Sequence, residues 1–131
     1  MSFAKFTQAV LLLVVGLSVL PSGSAQTFTV LYTFTGGTDG GFPNGGLIQD
    51  SAGNLYGTTG YGGRFNNGTI FKLNHNGRFK VLHSFGAGGA GGANPSAGLV
   101  RNSAGTLYGV TAAGGTSNQG TVFQIAQKRQ I

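Results

Sequence analysis

The feature that most constrains this chain is that it is written twice. The segment "FTVLYTFTGGTDGGFPNGGLIQDSAGNLYGTTGYGGRFNNGTIFKLNHNGR" from Phe28 is followed by "FKVLHSFGAGGAGGANPSAGLVRNSAGTLYGVTAAGGTSNQGTVFQIAQKR" from Phe79. The apolar landmarks recur at a period of about 51 to 52 residues: Val30/Val81, Phe34/Phe85, Leu47/Leu99, Leu55/Leu107, Tyr56/Tyr108 and Phe71/Phe123. One residue is inserted in the glycine-rich connector before Pro95. A fixed period of this size marks a repeat architecture, in which each copy buries its apolar face against the next.

Within a copy the apolar period is two, which specifies strands rather than helices. "FTVLYTF" and "FKVLHSF" alternate with aromatic and β-branched residues, as strands prefer, and the second places Phe79, Val81, His83 and Phe85 on one face. Asn76-Gly77 is a hairpin signal between "GTIFKLN" and "FKVLHSF". Ser51-Ala52-Gly53 and Ser103-Ala104-Gly105 punctuate two more hairpins. The first copy therefore reads as antiparallel strands near 46–50, 54–59, 68–74 and 78–85, and the second as strands near 98–102, 106–111 and 120–126. Four-stranded units at this spacing are blades of a β-propeller. The expected fold is all-β, with two propeller-like antiparallel blades of about four strands each, an incomplete propeller. "FTVLYTF" is the sequence equivalent of the fourth strand missing from the second blade, so the copies are out of phase with the blades. Within the twice-written phrase, Leu55 and Leu107 are expected to face inward and Tyr56 and Tyr108 outward. Gly57 and Gly109 allow close approach, and Gly62-Gly63 and Gly114-Gly115 supply positive φ.

Two blades are too few to close a ring that uses about four to eight. Three arrangements answer this: a piece of a longer array, several chains assembled head to tail, or two sheets packed face to face. High glycine content, 26 of 131 residues, raises the entropy cost of ordering and points to low stability.

The first 25 residues, with Lys5, the apolar stretch Ala9–Leu20, Pro21 and small residues at Gly23 and Ala25, have the form of a secretory signal peptide. The apolar stretch is shorter than the roughly 20 residues a membrane span requires. The expected organisation is thus a leader at 1–25 and a two-repeat domain at 26–131, with copies 28–78 and 79–131. Export without any cysteine means that packing or a partner, not disulfides, holds the fold. The net charge of +6 comes from scattered Arg and Lys residues, which does not make a nucleic-acid surface.

The phrase Leu-Tyr-Gly-x-Thr, then Gly-Gly, then Gly-Thr-x-Phe resembles the GloVer tandem repeat of exported bacterial choice-of-anchor proteins. The resemblance covers Thr27 to Ile125. It implies a propeller-like array, often ending in a surface-anchoring segment, and brings no established catalytic residues.

The chemistry-bearing residues are few. Gly86-Ala87-Gly88-Gly89-Ala90-Gly91 has the spacing of a dinucleotide loop, but Pro95 follows instead of a helix and no acidic residue follows Asp50. It reads as an interblade connector. Asp39, in "GGTDGG", and Asp50, matched by Asn102, read as turn residues rather than calcium ligands or a catalytic pair. His75 sits in a solvated turn and His83 reads as a core or channel-lining histidine. Asn67-Gly68-Thr69 fits the N-glycosylation pattern by coincidence. No cofactor, metal or catalytic residue is expected. The expectation is a non-enzymatic exported repeat module that binds an envelope protein, a glycan or itself. In the glycan reading Tyr56, Tyr61, Tyr108 or Phe65 stack on sugar faces, while Asn66, Asn67 and Asn118 supply hydrogen bonds. A propeller-type lyase would need acids the chain lacks.

Overall fold

The computed structural model describes residues 23–128. Most of the expected leader therefore lies outside the described residues. Among the described residues no helix is long and apolar enough to cross a membrane.

Blade one is a four-stranded antiparallel sheet in sequence order: β1 (Ile48–Gln49), β2 (Leu55–Thr59), β3 (Thr69–Leu73) and β4 (Phe79–Ser84). Its hairpins turn where the sequence places them. Gly53 N–H bonds the Asp50 carbonyl at 3.0 Å between β1 and β2, and Gly77 N–H bonds the Asn74 carbonyl at 2.8 Å between β3 and β4. Blade two contains β5 (Ala93–Pro95), β6 (Val100–Arg101), β7 (Leu107–Ala113) and β8 (Thr121–Ile125). β7 pairs β8 along one edge, while β6 and β5 pair successive parts of the other. Blade two is thus three positions wide, and among the described residues no strand pairs the outer edge of β8.

β5 lies outside the strands read from the sequence, at the end of the glycine-rich connector, and contains Pro95. It is tolerated there because β5 is an edge piece, where a missing N–H costs no ladder bond. Its counterpart in blade one shrinks to a single bridge between Gly41 and Tyr61.

The two blades stack front to back. Directly opposed residues of an antiparallel sheet share a face, so Ile48, Tyr56, Thr58 and Ile70 line one face of blade one. In blade two, Leu107, Gly109, Phe123 and Ile125 line the face of the opposite sense. These two faces meet, and the core between them is Tyr56, Ile70, Phe85, Leu99 and Leu107, flanked by Ile48, Leu82, Phe123 and Ile125. The expectation of leucines in and tyrosines out holds for Leu107 and Tyr108 but inverts in blade one, where Tyr56 is 1% exposed and Leu55 is only half-buried. The neighbour decides: blade two covers the Tyr56 face, not the Leu55 face.

Tyr56 acts as the interblade knob. Its hydroxyl donates to Asp50 Oδ2 at 2.9 Å, and its ring lies 5.5 Å from Lys72 Nζ and 6.0 Å from the Arg101 guanidinium carbon. Gly57 and Gly109 do permit close approach, though by a side chain of their own sheet: a Cβ at Gly109 would stand 2.5 Å from Phe123 Cζ and 2.9 Å from Leu99 Cδ2. The edge of the phenyl ring occupies the space that a side chain at Gly109 would need. Gly62, Gly63, Gly114 and Gly115 have φ of 77°, 79°, 82° and 79°, as the loop reading requires.

Two expectations are corrected. "FTVLYTF" forms no strand; residues 23–33 lack regular structure and Phe28 is 90% exposed. Among the described residues no strand pairs with it. Its aromatic end instead lies on the Leu55 face of blade one, with Phe34 edge-on to Phe71 (5.1 Å between centroids) and Tyr32 stacked on Phe79 (3.9 Å). His83 is not a core residue but exposed, with its ring edge-on to Phe85 at 5.0 Å. The register shift between Ile70 and Phe71, which pairs Ile70 with His83 and Phe71 with Val81, breaks the alternation at Leu82. A bulge of this kind turns the following side chain to the other face.

Candidate binding face at the loop end of blade one

The repeat itself provides a filter. Positions kept in both copies are accounted for by packing or turn geometry. Exposed aromatic residues present in only one copy are not.

Three such residues sit on the loops at one end of blade one. Tyr61 is 44% exposed and Phe42 is 65% exposed, with ring centroids 5.7 Å apart and planes tilted by 31°. Phe65 is exposed on the loop between β2 and β3, with the Arg64 guanidinium 5.3 Å from its centroid. Copy two has Asn94, Ala113 and Ser117 at the matching places. The loops are tied together by backbone bonds: Gly41 N–H to Tyr61 O (2.8 Å), Gly60 N–H to Phe42 O (2.9 Å) and Gly63 N–H to Gly37 O (2.8 Å). Phe42 has φ of 58°, a left-handed conformation that strains a bulky side chain by about 1–3 kcal/mol. The other non-glycine residues with positive φ, Asn66, Asn94 and Asn118, are of the type that tolerates it. Phe42 is thus held out in solvent at a conformational cost, the kind of feature that clusters at ligand sites.

The amides named in the glycan reading are largely committed to structure. Asn66 Oδ1 accepts from Gly62 N–H at 3.0 Å, and Asn118 Oδ1 accepts from Gly114 N–H at 2.9 Å. Asn67 Nδ2 donates to the Gly86 carbonyl at 2.6 Å. Tyr56 is buried, and Tyr108 lies on the open face of blade two with its hydroxyl 3.4 Å from Asn102 Nδ2. Tyr61 and Phe65 remain from that list. Phe42 was missed in the sequence because "GGFPNGG" reads as a plain connector; its departure from Asn94 in the second copy was the available signal.

Both carboxylates are turn anchors. Asp39 accepts from the Tyr32 hydroxyl and the Thr35 N–H, both at 2.9 Å, and from the Thr35 hydroxyl. The Thr35 bonds hold its carboxyl below the usual range, and the set pins the N-terminal segment to blade one. Burial pushes Asp50 up, but bonds from Asn54 Nδ2, Asn54 N–H, the Tyr56 hydroxyl and Ala52 N–H outweigh it and leave the pKa at about 2. His75 stands exposed in its turn. The glycine run at 86–91 is a connector that leads into β5, and Gly89 O accepts from Gly115 N–H at 2.7 Å. Among the described residues no three His, Cys, Asp or Glu side chains group to hold a metal ion.

One groove opens on the outer face of blade one, lined by Tyr32, Phe34, Leu47, Leu55, Phe71 and Leu73, with a cavity of about 280 Å³. That is below the ~300–1,000 Å³ usual for small-molecule sites. A family model described as Gloeobacter/Verrucomicrobia repeat matches residues 18–131. No curated protein matches the chain. No solved structure matches it.

Proposed function

The chain belongs to the Gloeobacter/Verrucomicrobia repeat family, and from that membership we propose that it is an exported, non-enzymatic binding module whose contact face is the loop end of blade one. The observation that carries this reading is the exposure of Phe42, Tyr61 and Phe65 in one copy only. The rigid rings bring contact area at low entropy cost, as binding surfaces require. The signal-peptide form of the first 25 residues supports export. Commitment of Asp39 and Asp50 to turn hydrogen bonds supports a non-catalytic role.

The partner is an envelope component. A glycan is favoured among such components by the exposed Phe42–Tyr61 pair, because flat apolar rings stack on sugar faces while neighbouring amides serve the hydroxyls; exposed Asn44 lies beside Gly60 in this region. Binding of the purified chain to a glycan array and to envelope fractions tests the proposal, with Tyr61→Ala and Phe65→Ala alongside. The expected result is retention by one ligand class that both substitutions abolish without changing the melting temperature. Full binding by both variants would remove this face, and an array without any binder would remove the glycan reading.

A further inference from the structure

Among the described residues the front-to-back stacking leaves two unmatched surfaces, and each is the repeat equivalent of a surface already matched inside the chain. At one end, blade two presents Val100, Tyr108, Val110 and Val122, with Val122 82% exposed. These correspond to Ile48, Tyr56, Thr58 and Ile70, the face that blade one buries against blade two. At the other end, blade one presents a groove of Leu47, Leu55, Phe71 and Leu73. These correspond to Leu99, Leu107, Phe123 and Ile125, the residues that receive Tyr56 and Ile70. One chain therefore carries both halves of an interface whose working example lies in its own middle.

The N-terminal segment sharpens the match. Phe34 meets Phe71 at 5.1 Å and 65°, as Phe85 meets Phe123 at 5.3 Å and 68°. Phe85 immediately follows β4, the fourth strand of blade one. Phe34 thus holds residues 28–34 where the fourth strand of a preceding blade would run. Among the described residues no strand pairs the outer edge of β8, and residues 28–31, of which Phe28, Val30 and Leu31 are apolar, are exposed and belong to no strand. The same chain cannot join the two, because the segment lies on the face of blade one that points away from blade two.

We propose that copies of this chain assemble head to tail: blade two of one copy docks its Val122 face into the Leu55 groove of the next, whose residues 28–34 pair with β8 as the missing fourth strand. The register follows from the β3–β4 ladder, in which Lys72 opposes Lys80 and Phe71 opposes Val81. By repeat equivalence Gln124 opposes Thr29, and Phe123 opposes Val30, of the neighbouring copy. This joint is easier electrostatically than its internal counterpart, since the opposed lysines become glutamine and threonine, and like charges directly opposite destabilise a sheet. Neither face contributes a charged side chain in a chain of net charge +6. Strand addition satisfies an exposed edge and supplies backbone hydrogen bonds. Such a heterologous contact closes when about two to four copies complete a ring of about four to eight blades.

Light scattering over a dilution series, with Val30→Pro and Val122→Asp as variants, tests this directly. The expected wild-type mass is a multiple of the monomer; both variants fall to the monomer with unchanged circular dichroism, because both sites are exposed within one copy. The chain has no cysteine, so Thr29→Cys/Gln124→Cys offers a second measurement that does not depend on disruption. Oxidation should give intermolecular disulfides in this pair and far fewer in the register-shifted Thr29→Cys/Val122→Cys. A wild-type monomer at every concentration, variants that keep the wild-type mass, or equal cross-linking in both cysteine pairs would overturn the proposal. Loss of assembly leaves the loop-end aromatic residues intact, so this test and the ligand test fail separately.

Discussion

Leu55 and Leu107 occupy the same place in the repeat, yet truncating them should have very different costs. Leu107 is 0% exposed and packs in the cluster of Tyr56, Ile70, Phe85 and Leu99. Leu107→Ala removes buried methyl and methylene groups worth ~0.8 kcal/mol each. It also leaves a cavity, because residues from two sheets fix its walls. Such sites cost about 2.7–5 kcal/mol, and the interblade position argues for the upper half. Leu55 lines the open groove and is half-buried. Its truncation widens a solvent-accessible surface without enclosing a void, so about 1 kcal/mol is expected. Against a total stability of about 5–15 kcal/mol for a small domain, Leu107→Ala removes a large share and Leu55→Ala a small one. Urea unfolding followed by circular dichroism, at dilution sufficient for the single chain, should separate the midpoints by about 1–2 M. Equal shifts for the two variants would refute front-to-back stacking, since only a neighbour on one side makes the two leucines unequal.

Gly109→Ala places a methyl group 2.5 Å from Phe123 Cζ and should cost about 1–3 kcal/mol by overpacking, whereas Gly46→Ala, with nothing within 4 Å, should change the melting temperature little. Asp50 is held at about 2, below the ordinary ~3.9; the unfolded chain therefore takes up the proton first as pH falls. The stability it contributes is present above pH ~4 and lost toward pH ~2, about 1 kcal/mol after solvent screening; Asp50→Asn, which copies Asn102, should flatten the melting temperature over that range. Asn118 combines φ of 53° with a side-chain bond to Gly114 N–H, so Asn118→Ala should destabilise by about 1–2 kcal/mol in thermal melts while Asn118→Gly costs less.

Several elements were legible because their signals are local. The Asn76-Gly77 hairpin, the two Ser-Ala-Gly turns and the double-glycine loops depend on backbone conformations that only certain residues adopt, and all appear where the residues stand. Asp50 reads as a turn residue for the same reason. The misreadings share another cause. The alternation that put Val81, His83 and Phe85 on one face is broken by a bulge against the partner strand, so Val81 opposes Phe71 and His83 opposes Ile70, and a bulge depends on two strands at once. "FTVLYTF" has a strand pattern, but a strand exists only with an edge to join. Phe42 looked like connector until the fold paired it with Tyr61.

The sequence by itself determined the all-β blades, their number in this chain, their turns and the membership of a tandem-repeat family, because periodicity and turn chemistry are written residue by residue. Only the tertiary structure decided which face of each blade is covered. Two nearly identical copies cannot share an identical environment when they stack front to back, so Tyr56 is buried and Tyr108 half-open, Leu107 is enclosed and Leu55 lines a groove. That asymmetry comes from position in the stack, which among the described residues leaves one face of each blade without a neighbouring blade.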